Sequence, residues 1–163
     1  MTRIRPFRAT DLVAIELQAQ QRGVLGIHEP EMNLAHGFAL ERAGPAYSAE
    51  DSAGVVLACA GLAECFVGRQ ATAWAMFAEG WWDRLDRRAV LRALRAGVEH
   101  APYARIEALA RAAMPGECRL LQAVGFRRVA PLAQWGPRSE TVVLHERLGP
   151  VAQAAFADER RRD

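Results

Sequence analysis

Ala71-Thr-Ala-Trp-Ala-Met-Phe77, then Ala78-Glu-Gly80, then Trp81-Trp-Asp-Arg-Leu-Asp-Arg-Arg-Ala89: within this run the period of the sequence changes. The first segment alternates alanine with larger groups, which predicts a strand. Beyond Glu79-Gly80 the period becomes 3.6, with Leu91, Leu94 and Val98 at i, i+3 and i+7. Asp83 is placed to cap a helix that runs to His100, and Pro102 stops it. Arg105–Arg111 alternates again and reads as the next strand.

Working outward, Pro115–Gly125 predicts a short helix, with proline in its first turn and glycine just past its end. Phe126–Val129 begins another extended piece, and Glu140–His145 closes the sheet. Upstream, Gly54–Ala60 is a small and β-branched run suited to a strand covered on both faces. Gly68-Arg-Gln70 turns it into the next strand, and Ala46–Glu50 is a short strand before it. At the start, Thr2–Phe7 predicts a strand, followed by a helix over 11–22 capped by Thr10 or Asp11, with Leu12, Ile15 and Ala19 on one face. A second helix is expected over Glu31–Arg42, burying Leu34, Phe38 and Ala35, and ended by Gly44-Pro45. The order is strand, two helices, three strands, helix, strand, helix, two strands. It implies an α/β fold with a mixed sheet and helices on both faces.

The chain has 163 residues, which suits one domain. We place that domain at 1–148 and read 149–163 as a polar tail. With 51% hydrophobic and 25% charged residues, the composition is that of a folded globular protein and excludes general disorder. No apolar run reaches the roughly 18 residues of a membrane span. The N-terminus has arginines but no apolar signal core, so a cytoplasmic, reducing setting is expected. There Cys59, Cys65 and Cys118 should all be free thiols, and their spacing forms no zinc site. All 21 basic residues are arginine, and alanine reaches 32 residues, both marks of a GC-rich genome. The net charge of +2 is too small to indicate nucleic acid. Arg160-Arg161-Arg162 is flanked by Asp158, Glu159 and Asp163 and reads as a frayed end. His28, His36, His100 and His145 show no metal spacing.

Three passages carry a resemblance: Ile4-Arg-Pro-Phe-Arg-Ala-Thr-Asp11, the strand–helix junction of Ala73–Arg95, and Cys118-Arg-Leu-Leu-Gln-Ala-Val-Gly-Phe126. With the element order, they resemble the GNAT superfamily of acetyl-CoA-dependent N-acetyltransferases over nearly the whole chain. The texture is similar to GNAT-like proteins of tailed phages, including podovirus internal virion proteins. The resemblance implies a central sheet splayed between strands four and five, with acetyl-CoA entering there and an amine as acceptor.

Each requirement of acetyl transfer can be set against the residues. The resemblance puts the coenzyme pyrophosphate on backbone N–H groups where strand four meets the next helix, usually through glycines. The matching stretch, Trp82–Ala89, has no glycine. Arg84, Arg88 and Arg92 at i, i+4 and i+8 could supply a phosphate-binding ridge, or form a solvated face. The tyrosine that often protonates the thiolate corresponds to Leu121, and the asparagine before it to Pro115. Cys118, one turn from Leu121, is a substitute donor or a structural thiol. Glu79 and Glu107 are the candidate bases for the acceptor amine, or surface carboxylates paired with Arg69, Arg105 or Arg111. A backbone N–H near Met76 or Phe77 could polarise the thioester carbonyl. Trp74 is expected in the core. The adjacent Trp81 and Trp82 cannot both point inward, so this corner is expected to be partly closed to coenzyme A, one indole packing on a partner or a second subunit. Two functions follow: an acyl-CoA N-acetyltransferase, or a catalytically silent GNAT-fold virion component or interaction module.

Overall fold

The computed structural model describes residues 1–21, 32–136 and 138–149. The expectations for His28, for a helix start at Glu31 and for the tail with Arg160–Arg162 lie outside the described residues.

Strand β1 (Arg3–Pro6) leads into α1 (Ala9–Ala14), a 3-10 turn (Ala19–Gln21) and α2 (Leu34–Ala43). Then come β2 (Ala46–Glu50), β3 (Val56–Phe66), β4 (Gln70–Phe77), the single turn α3 (Trp81–Arg84) and α4 (Arg87–Glu99). Strand β5 (Arg105–Arg111), α5 (Pro115–Val124), β6 (Arg127–Leu132) and β7 (Val142–Leu148) follow. The strands form one sheet in the order β1-β2-β3-β4-β5-β7-β6. Among the described residues only β4 and β5 run parallel, because α3 and α4 carry the chain back between them.

Local chemistry explains most boundaries. Pro115 starts α5, and Gly125 (φ 108°) ends it in the left-handed conformation, its N–H returning to Leu121 and Gln122 carbonyls. In the first cluster of the core, Phe7, Leu12 and Ile15 meet Cys59, Trp74 and Met76. A second unites Val98, Tyr103, Ile106, Ala108, Val124 and Phe126. Fully buried Leu12 alone is worth about 1.5–3 kcal/mol of hydrophobic stabilisation.

Three helical expectations are corrected. Helix α1 stops at Ala14 instead of continuing to 22, because Ile15 turns extended (ψ 125°) and Leu17 bridges to Ala78. Its cap works from inside: Arg8 is the capping position, and the Asp11 carboxylate accepts the Arg8 N–H at 2.9 Å. On α2, Leu34, Ala35 and Phe38 are exposed, and the buried residue is Gly37. A Cβ there would lie 2.3 Å from the Ala9 carbonyl oxygen, so the α1–α2 contact requires glycine. The helix after β4 is broken: Leu85 is extended, and Asp86 rather than Asp83 caps the long segment.

Candidate functional site

Strands β4 and β5 pair from Gln70↔Arg105 to Ala73↔Ala108 and no further. β4 continues to Phe77, while β5 follows β7 as far as Arg111↔Val142. Residues 74–77 and 109–111 therefore diverge, and this splay is where the sequence reading puts the coenzyme.

At the end of β4, Gly80 adopts φ 66°, a left-handed turn that a side chain would strain, and so launches α3. The N-terminus of α4 should be the anion site, since its first N–H groups lack partners within the helix. Here they have one. The Asp86 carboxylate accepts the Arg88 N–H at 2.9 Å and the Ala89 N–H at 3.2 Å. Asp86 is itself fixed, its N–H donating to the Thr2 hydroxyl at 2.6 Å. A negative side chain thus occupies the positive end of the helix dipole.

The arginines do not form one ridge. Arg84 lies on α3 and Arg88 and Arg92 on α4, with the break at Leu85–Asp86 between them. Arg84 donates to Asp51 at 2.5 Å. The hydrogen bond from the Val55 N–H is the largest influence on the Asp51 carboxyl; desolvation opposes it, and with the bonds from Arg84 and the Ala53 N–H the carboxyl is held below the usual range. Arg87 donates to the Trp82 carbonyl at 2.8 Å and sits 4.5 Å over the Trp82 ring. Arg88 and Arg92 are exposed.

The indole pair divides as its adjacency demands. Trp81 is buried and stacks on Phe77 at 4.4 Å, while Trp82 meets it edge-on and is 48% exposed. Trp74 is buried against Phe7, in the core as expected.

The candidate bases are not brought together. Glu79 is exposed beyond the end of β4, its N–H bound to the Glu16 carbonyl. Glu107, half-buried on β5, accepts Arg105 Nε at 2.7 Å. Arg105 also reaches buried Glu146, which Arg127 holds from the other side. Because the Ala78 N–H donates to Leu57 on β3, alternation turns Met76 toward β3 and Phe77 toward the splay. Of the two, only the Phe77 N–H faces the cleft. On α5, Leu121 and Cys118 are partly buried, and Glu117 binds the Arg111 N–H at 2.9 Å and its guanidinium.

A largely buried polar latch ties β1, α1 and β2 together. Arg5 donates to Asp11 at 2.7 and 2.8 Å and to Glu50 at 2.5 Å, and Asp11 also accepts the Ser48 hydroxyl at 2.7 Å. Burial would push the Asp11 carboxyl up, but the bonds from Arg5, Ser48 and the Arg8 N–H outweigh it and hold it low. Beside Ser48, burial pushes the Cys59 thiol up to about 12, so it is a packing group rather than a nucleophile. All three cysteines are free. Among the described residues no cluster of ligands fits a metal ion, and no helix is long and apolar enough to cross a membrane.

Residues the sequence reading missed are Asp86, Thr2, Asp51, Gln18, Gln21 and Glu117. Only Asp86 had a signal, an acidic residue just before a helical run.

No family profile and no curated protein sequence matches the chain. Solved structures do. One, provisionally assigned as a phosphinothricin N-acetyltransferase, has a TM-score of 0.69 at 18% identity, covering 91% of this chain and 98% of that one. The GNAT domain of S. lividans PAT gives 0.68 at 14% identity, with 90% of each chain covered. yncA of Salmonella typhimurium, solved with its cofactor acetyl-CoA, gives 0.67 at 19%, covering 91% and 94%. At these identities the likeness establishes the fold: the chain has the GNAT acetyltransferase architecture, splay included.

Proposed function

We propose that this protein is an N-acetyltransferase-like GNAT-fold module whose coenzyme site is filled by its own side chains, and which binds a protein partner instead of transferring an acetyl group. The observation that carries this is the Asp86 carboxylate on the Arg88 and Ala89 N–H groups. The residues present do not fit a pyrophosphate. Its charge would meet Asp86 at close range, Arg84 is paired with Asp51, and the stretch has no glycine for close backbone approach. The exposed Trp82 face, stiffened by Arg87, supplies the aromatic anchor common at protein interfaces. The resemblance to phage-borne GNAT-like proteins favours a virion component, or a second copy of this chain, as that partner.

One observation favours the alternative, acyl transfer to an amine: the splay itself is kept, and Glu107 stands on β5 in the paired stretch just before it opens. In that reading Glu107 takes the amine proton once Arg105 releases it, and Glu79 is too far along the exposed turn to share the task.

Calorimetric titration with acetyl-CoA separates the two. No saturable binding up to about 1 mM, where binding free energy falls to about −4 kcal/mol, is the expected result. A micromolar Kd would overturn the silent reading.

A further inference from the structure

The splay is occupied along its β4 wall as well as at its phosphate end. Alternation turns the N–H and C=O groups of Ala75, Phe77 and Glu79 into the splay. Residues 16–21 meet them. The Glu79 N–H donates to the Glu16 carbonyl at 3.0 Å, and the Phe77 carbonyl accepts the Gln18 N–H at 3.2 Å. With the Leu17↔Ala78 bridge, this is a short antiparallel pairing. From Ala19 the backbone leaves the edge in a 3-10 turn, and a side chain takes over. The Phe77 N–H donates to Gln21 Oε1 at 2.6 Å, and Gln21 Nε2 reaches the Ala75 carbonyl at 3.5 Å. Gln18 Nε2 adds a bond to the Ala78 carbonyl at 3.2 Å.

A primary carboxamide offers one acceptor and two donors on a planar group, the hydrogen-bonding face of a peptide unit. Gln21 therefore serves Phe77 and Ala75 as the next residue of a strand would. Asp86 stands in for a phosphate; Gln21 stands in for the amide of an extended ligand.

We propose that Glu16–Gln21 is an autoinhibitory strap: an internal occupant of the β4 edge that competes with any ligand arm presenting amides along this strand, with Gln21 as its closing residue. The inference rests on the reading of a self-filled site and extends it to a part of that site where no charge is involved. The strap is held at its start by buried Ile15 and, through α1, by the Arg5–Asp11 latch. Its closing contacts are made by the partly buried side chains of Gln18 and Gln21. Buried Ile15 fixes its start, and the bonds of Gln18 and Gln21 to β4 are contacts that can break while α1 stays folded.

Amide hydrogen exchange on the full chain tests this, with pantetheine as the probe because it has the amides of coenzyme A without its phosphates and is blind to Asp86. Gln21→Ala should speed exchange of the Phe77 amide roughly tenfold, leaving the Ala78 amide, bonded to β3, unchanged. Gln21→Glu keeps an acceptor and should restore Phe77 protection, which separates a lost bond from a damaged fold. Millimolar pantetheine should protect Phe77 in Gln21→Ala but not in the unaltered protein. Unchanged Phe77 exchange in Gln21→Ala, or pantetheine protecting both proteins equally or neither, overturns the strap. Acetyl-CoA binding to the unaltered protein overturns the silent function. It overturns the strap too only if Gln21→Ala leaves that affinity unchanged.

Discussion

The same two strands behave in opposite ways along their length. From Gln70 to Ala73 on β4, and from Arg105 to Ala108 on β5, backbone meets backbone. From Trp74 onward the strands part, and other parts of the chain meet the freed edges: the backbone of Glu16 and Gln18 and the side chain of Gln21 on the β4 side, Glu117 on β5. Buried backbone groups need partners wherever a ladder stops. A bound ligand is one way to supply them, and this chain supplies them itself.

The sharpest way to break the splayed half is at its anchor. Asp11→Ala leaves Arg5 with Glu50 as its one carboxylate partner and strips the Ser48 hydroxyl and Arg8 N–H of this acceptor, and should cost about 3–5 kcal/mol in urea unfolding. The same group predicts a pH dependence. Its carboxyl titrates lower in the folded state than in the unfolded chain. Its stabilisation is therefore complete above the unfolded value near pH 4, and is lost as pH falls through the folded value. Denaturation between pH 7 and pH 3 should show that slope, and Asp11→Asn should flatten it.

The paired half is broken more gently. Glu146→Ala removes the carboxylate between Arg105 and Arg127, whose guanidiniums can still reach water, so about 1.5–3 kcal/mol is expected from the same unfolding curves. Asp86→Ala, at the far end of the splay, should cost about 1 kcal/mol as a lost helix cap, read by thermal unfolding. The smallest effect belongs to Trp82→Ala. An exposed cation–π contact is worth about 0.5–1 kcal/mol, so stability should barely move while association with a partner or second copy, measured by sedimentation, is lost.

How much of this was legible depends on how local its cause is. β2 and β5 match the expected bounds, because alternation and flanking breakers act within a few residues. The ends of α5 were written in Pro115 and Gly125. The excess length given to α1 has a distant cause: the periodic Leu12, Ile15 and Ala19 do fit a helix, but the β4 edge competes for Leu17 and Gln18. The face of α2 was misread because large residues suggested burial, whereas contact with Ala9 selects Gly37. In the site, the missing glycines and tyrosine were visible, and so was the divided role of Trp81 and Trp82. The occupants were not. Nothing near Gln21 in sequence announces a bond to Phe77, 56 positions away. Between Asp83 and Asp86, both good caps, the choice was made by the extended Leu85.

The sheet has two outer rims, and their composition bears on colloidal behaviour. β1 is Arg-Ile-Arg-Pro, and β6 is Arg-Arg-Val-Ala-Pro-Leu. Each rim therefore carries arginines, some of them ion-paired within the molecule, and a proline that cannot donate to a ladder. Two copies approaching rim to rim meet charged, strongly hydrated side chains and a missing hydrogen bond, which disfavours growth into continuous cross-β stacks. Lysine usually keeps this guard in sheet proteins. In a chain that has none, arginine stands the watch.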